Sequence, residues 1–182
     1  EDRWVLDNGF ETSQEGWRAD IYFYCIEIEV PEWDGWKIPI SPSWVIVPKT
    51  KVWVELVPIE KEKRFGFHVH ISGDGFDQAT SGTKQSADIV CPPPLWEIFK
   101  RQGRHQHTSR TIPYNQLIKN AGGLRRWEKQ DFLARPTDFL QERLYCIRWR
   151  KPDWVDNQRC KRRGEFFYRE PRSHDMDMEQ KV

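Results

Sequence analysis

Sulfur is scarce in this 182-residue chain: two methionines, Met176 and Met178, and four cysteines, Cys25, Cys91, Cys146 and Cys160. No Cys-x-x-Cys pair occurs, so the compact spacing of a structural zinc site or a thiol redox motif is missing. A chain this long buries roughly 70% of the surface its unfolded form exposes, so it needs no disulfide framework. The scattered thiols read as reduced cysteines in a cytosolic or nuclear setting. Apolar runs are short, as at Trp44–Val47, and none approaches the ~20 residues of a membrane helix. There is no secretory signal and no Asn-x-Ser/Thr acceptor. The chain opens on Glu1 instead of Met, which reads as a segment of a longer protein. Gly73-Asp-Gly75 and Gly122-Gly123 match no phosphate-binding loop, and no G-x-S-x-G elbow is present.

Aromatic side chains are plentiful instead: 10 Trp, 10 Phe and 5 Tyr. Each buries roughly 150–250 Å², so a few of them can fill a core in a chain that is otherwise polar. The net charge of +1 hides an asymmetry. Residues 1–90 carry a balance of −7 and residues 91–182 a balance of +8. An acidic half joined to a basic half implies either mutual attraction or a basic face for a polyanionic or acidic partner.

Periodicity predicts strands first. Over Asp20–Val30, Tyr22, Tyr24, Ile26, Ile28 and Val30 alternate with Ile21, Phe23, Cys25, Glu27 and Glu29. The two acids suggest that one face of the far end meets water, and Pro31 ends the strand. Asp34-Gly35 is a turn pair, and strands are expected at Trp36–Ile40, Trp44–Val47, Lys51–Pro58 and 64–71. Residues 73–85, with three glycines, read as an exposed, mobile loop. Short helices are expected between Pro92-Pro93-Pro94 and Gly103, bearing Leu95, Ile98 and Phe99, and between Pro113 and Gly122-Gly123, bearing Tyr114, Leu117 and Ile118. Thr137 or Asp138 could cap a third, bearing Phe139, Leu140 and Arg143. Leu144–Trp149 and Glu165–Tyr168 read as further strands. The expectation is an α+β fold: an antiparallel β-meander, then short helices and further strands, in one domain over residues 1–172 with a flexible tail at 173–182.

Several constellations could carry chemistry. His68 and His70 project from one strand face and could share a metal ion, and His105 and His107 form a second such pair. A solvated sheet face explains the first pair more simply, so no metal or other cofactor is expected. Cys25 reads as a small core residue and not as a nucleophile. In the basic half, Arg148-Trp149-Arg150 and Trp154 interleave cations with indoles, and Lys161-Arg162-Arg163 follows, then Phe166-Phe167-Tyr168-Arg169. Such a pattern can stack bases and neutralise phosphates, which suits RNA or single-stranded DNA. Lys161–Arg163 also fits part of a nuclear-localisation patch. Trp33, Trp36, Trp44 and Trp53 are crowded together. If exposed, Trp33, Trp36 and Trp53 would make a partner-binding patch, since Trp and Arg dominate interface hot spots. Core packing is the competing reading for each.

Three stretches carry a family resemblance: Asp20-Ile-Tyr-Phe-Tyr-Cys-Ile-Glu-Ile-Glu-Val-Pro-Glu-Trp-Asp-Gly-Trp36, Pro42-Ser-Trp-Val-Ile-Val-Pro-Lys-Thr-Lys-Val-Trp53 and Cys91-Pro-Pro-Pro-Leu-Trp-Glu-Ile-Phe-Lys-Arg101. They resemble the Bet accessory proteins of primate foamy viruses, in the part encoded by the Bel2 reading frame. The resemblance implies a non-enzymatic protein of the infected host cell's cytoplasm, with the nucleus as a second site. It also implies binding and sequestration of host APOBEC3 cytidine deaminases, which blocks their packaging into virions. It maps no contact residue onto this chain.

Overall fold

The alternation around residues 20–30 becomes strand β1, Arg18–Val30. The computed structural model describes residues 18–131, 134–150 and 166–171. The fold is α+β, with an antiparallel meander followed by short helices and further strands. Contacts divide the chain into two compact units, Cys25–Arg143 and the paired segments Glu1–Tyr24 and Leu144–Val182. The change of charge balance at residue 90 thus falls inside the central unit. The tail at 173–182 lies outside the described residues.

In the central unit, Pro31 stops β1 and opens a 3-10 turn, Pro31–Trp33. Asp34 and Gly35 then both take positive φ, 63° and 72°. That reverses the chain into β2, Trp36–Ile40, with Val30 opposite Trp36 and Ile26 opposite Ile40. A second sheet has the order β3-β4-β5: Val45–Val47, Val52–Ile59 and Arg64–Ile71. A third comprises β6 (Lys84–Gln85), β7 (Asp88–Val90) and β8 (Thr111–Pro113). Helix α1 is Phe76–Ala79, α2 is Pro93–Arg101 and α3 is Tyr114–Asn120. Two prolines sit in the first turn of α2, where their missing N–H groups cost nothing, and Leu95, Ile98 and Phe99 form its buried stripe. Trp33, Phe65, Phe99, Ile38, Ile89 and Leu117 are fully buried with them. Each such side chain contributes about 1.5–3 kcal/mol relative to exposure.

Three sequence expectations are corrected. The first concerns residues 73–85: most are exposed as expected, but they hold α1 and β6 and are anchored at the buried Ala79, Gly82 and Thr83. Gly82 is buried against the backbone of Ser41–Ser43, where an added Cβ would lie 2.0 Å from the Ser41 carbonyl oxygen. The buried Thr83 hydroxyl donates to the Pro39 carbonyl at 2.5 Å and accepts the Ser41 N–H at 3.1 Å. The glycine is there for close approach of two backbones.

Second, no helix follows Asp138: β9, Leu140–Arg150, begins at once. Its residues Arg143–Ile147 are all buried, so a two-sided buried strand shows no alternation for periodicity to find. The Asp138 carboxylate accepts the backbone N–H of Arg135, upstream of it, rather than capping a helix downstream.

Third, Glu27 does not face water. It is 3% exposed, and its carboxylate is clasped by two guanidinium groups, Arg64 at 2.7 Å on one oxygen and Arg143 at 2.5 Å on the other. The Arg143 guanidinium also lies 4.7 Å above the Phe67 ring. The neighbouring acid, Glu29, is exposed.

In the terminal unit the strand order is β10-β9-β1, where β10 is Phe166–Arg169. Leu144, Ile147 and Trp149 form its buried cluster, with Ala19, Tyr22 and Phe167 packed on it.

Removing the clasped carboxylate leaves two partly buried cations facing each other. Glu27→Ala should therefore destabilise the protein by about 3–5 kcal/mol, whereas Glu29→Ala should stay within about 0.5 kcal/mol. Urea unfolding followed by tryptophan fluorescence measures both, and equal small losses would contradict the clasp. In the same assay Gly82→Ala should cost at least ~1–3 kcal/mol, since the backbone contact has no room to relax.

Candidate functional site

Pairing of β9 with β10 sorts the basic, aromatic residues of the terminal unit onto two faces. The register places Arg150 opposite Phe166, Trp149 opposite Phe167, Arg148 opposite Tyr168 and Ile147 opposite Arg169. Directly opposed residues share a face and successive ones alternate. One face therefore carries Ile147, Trp149, Phe167 and Arg169. It is the inward one: Trp149 and Ile147 are each 1% exposed, and the Trp149 ring stacks on Phe167 at 5.9 Å and 8°. The Arg169 guanidinium covers the Trp149 ring at 4.7 Å.

The other face carries Arg148, Arg150, Phe166 and Tyr168, and it is open to solvent. Phe166 is 42% exposed, Arg150 is exposed, and Arg148 and Tyr168 are half-buried. The Arg148 guanidinium lies 4.7 Å over the Phe166 ring, a geometry that pre-orients both groups. Cation and aromatic alternate across this face, which offers flat π-surface beside donors for carboxylate or phosphate.

Of the candidate residues of this region, Arg150 is exposed and Arg148 half-buried on this face, while strand alternation turns Trp149 into the core. Trp154, Lys161, Arg162 and Arg163 lie outside the described residues. Phe166 and Tyr168 join the face instead of Trp149. Their run at 166–169 shows the right residue types, but only the register says which of them share a side with the arginines.

The exposed patch expected of Trp33, Trp36 and Trp53 is not formed. The three are 0%, 4% and 8% exposed. Their polar edges are satisfied inside: Trp33 Nε1 donates to the Ser109 carbonyl at 2.8 Å and Trp53 Nε1 to the Ser72 carbonyl at 3.1 Å. Trp36 packs on Phe65 at 5.4 Å. With an apolar body and a paired N–H, an indole gains more from the core than from water. Trp53 and Trp44 also line a cavity of about 330 Å³ in the central unit, walled by Leu56, Val90 and Cys91 with Arg110 at its polar part.

His68 and His70 do project together, with ring centroids 4.5 Å apart. The pairing partners across β4 decide their surroundings: Glu55 stands opposite His68 and Trp53 opposite His70. His70 Nε2 is hydrogen-bonded to Glu55 at 2.8 Å and its ring stacks on Trp53 at 4.3 Å. Among the described residues no group of three or more His, Cys, Asp or Glu side chains is arranged to hold a metal ion. His105 and His107 fall in a 3-10 turn, Arg104–His107, where His105 meets the edge of Trp96.

Burial pushes the thiols of Cys25, Cys91 and Cys146 up to about 12. At Cys25 the Arg143 charge opposes this and burial wins. Thiolate is the nucleophile, so these three are inert packing residues.

No family model matches the chain, and no curated protein or solved structure does.

In a Cys160→Ser variant, Ellman's reagent near pH 8 should leave the folded protein unlabelled and then titrate three thiols in guanidinium. A thiol that reacts quickly before unfolding would contradict the burial described.

Proposed function

We propose that this protein works by occupancy, binding a partner protein in stoichiometric amounts without transforming it. The observation that carries this reading is the open face of β9 and β10, where Arg148 and Arg150 stand beside Phe166 and Tyr168. Arginine and aromatic groups fixed in one plane lose little side-chain freedom on binding, and such groups dominate protein interfaces. Among the described residues, Glu27 is held between two arginines, His70 between Glu55 and Trp53, and the thiols of Cys25, Cys91 and Cys146 are buried. The partner class comes from the resemblance to foamy-virus Bet proteins. It is the host APOBEC3 cytidine deaminases, bound in the host cytoplasm and so kept out of virions.

A second reading rests on the same face. A guanidinium held over a phenyl ring, with a second cation beside it, also suits RNA or single-stranded DNA, whose bases stack on aromatic side chains while phosphates meet arginine.

Capture of a purified APOBEC3 deaminase by this protein, with and without RNase, separates the two. Capture that resists RNase and falls at least roughly tenfold in the Arg148→Glu/Arg150→Glu double variant is the expected result. Capture that needs RNA, with affinity dropping steeply as salt rises, would favour the second reading. Absence of capture and of nucleic-acid binding would remove both.

A further inference from the structure

The segment between α3 and β9 is built inside out. Its charges turn inward on one another. Arg125 donates to both oxygens of Asp138 at 2.7 and 2.8 Å and to Asp131 at 2.5 Å. Asp131 also accepts the Glu128 backbone N–H at 2.8 Å and the Arg135 side chain at 3.0 Å. Asp138 accepts the Arg135 backbone N–H at 2.8 Å. The side chains of Asp131 and Asp138 are only 5% and 11% exposed.

Two large apolar side chains of the same segment face water: Leu124 is 53% exposed and Trp127 50%. Arg126 and Lys129, on either side of Trp127, are exposed and carry no ion pair among the described residues. The carboxylates nearby are committed elsewhere, Asp131 and Asp138 to Arg125 and Glu128 to Arg135. The loop therefore exposes an indole and an isobutyl group, with two cations next to the indole in sequence that are unpaired among the described residues. The clasp beneath keeps this arrangement through the physiological range. The paired Arg125 guanidinium holds the Asp138 carboxyl down to about 2, and the Glu128 N–H and Arg125 lower that of Asp131. For a depressed carboxyl the stabilisation is present above its ordinary range and is lost only as pH falls toward the lowered value.

We propose that this tip, formed by Leu124, Arg126, Trp127 and Lys129, docks an acidic peptide segment of a protein partner, one with an aliphatic or aromatic side chain set between carboxylates. Charge complementarity selects the acidic partner. Leu124 favours a peptide, because an aliphatic surface gains from an apolar side chain and offers no stacking plane; Trp127 does offer one, so oligo(dT) is the competing occupant in the test. The salt bridges of Arg125 and Arg135 tie the loop that carries the site, which lowers the entropic cost of binding. The cation and indole interleaving at Arg126-Trp127 and Lys129 repeats that of Arg148-Trp149-Arg150, but here the indole stays outside. The inference stands apart from the deaminase reading and from the face of β9 and β10.

The test uses the full chain and a fluorescein-labelled synthetic peptide in which Leu and Phe alternate with Glu and Asp, followed by anisotropy, with oligo(dT) run in parallel. Salt-sensitive peptide binding is expected. It should weaken about tenfold or more in Trp127→Ala and in Arg126→Glu/Lys129→Glu, and hold in Arg148→Glu/Arg150→Glu. Circular dichroism and the urea midpoint should be unchanged in each variant, and Leu124→Ser provides a second, milder lesion with a smaller loss in the same direction. No peptide binding to the wild-type chain would overturn the proposal. So would binding indifferent to Trp127, or loss of oligo(dT) binding but not of peptide binding in these variants.

Discussion

One buried carboxylate organises the central unit. Glu27 comes from β1, Arg64 from the start of β5 and Arg143 from β9, so the clasp joins residues 37 and 116 positions apart in sequence. A desolvated carboxylate is tolerated only when its charge is met by close, well-directed donors. The two short contacts supply them, and the Arg143 guanidinium adds a ring contact with Phe67. The same condition makes the site selective: any arrangement of these three strands that leaves Glu27 without both arginines strands a charge in the core. Hydrophobic packing around it is large but undirected, and the clasp provides direction.

In the terminal unit β9 carries Arg148, Trp149 and Arg150 and pairs with β10. Register matters there more than composition. A slip of one residue would carry Trp149 to the open face and the two arginines into the core. The binding surface proposed for the terminal unit is therefore a product of strand parity acting on a short run of mixed cations and aromatics. The loop tip at Trp127 reaches a similar end by a different route, through local salt bridges that turn charges in and leave the indole out.

Much of the fold was legible in the sequence because it rests on local signals. Alternation located β1, β4 and β5, proline and glycine framed α2 and α3, and Asp34-Gly35 marked the reversal into β2. What escaped depended on contacts made at a distance. Glu27 looks like its neighbour Glu29, and nothing near it announces arginines at 64 and 143. The start of β9 was hidden because Asp138 reads as a helix cap and the strand beyond it, buried on both faces over Arg143–Ile147, shows no alternation. The anchoring of Gly82 and Thr83 is owed to the backbone of residues 39–43, not to their own neighbourhood. For the candidate surfaces, residue type was readable and side was not: Trp33, Trp36, Trp53 and Trp149 went inward, and Trp127, with the same flanking chemistry, stayed outside.

The most direct measurement of the central claim is a double-mutant cycle between Glu27→Gln and Arg143→Met, read by chemical unfolding. The clasp predicts that the two losses are strongly non-additive, with a coupling of about 2–3 kcal/mol, since Glu27→Gln already leaves the buried Arg143 without its carboxylate. Additive losses, agreeing within about 0.5 kcal/mol, would mean that the pair is incidental to the fold and that packing alone holds these strands in register.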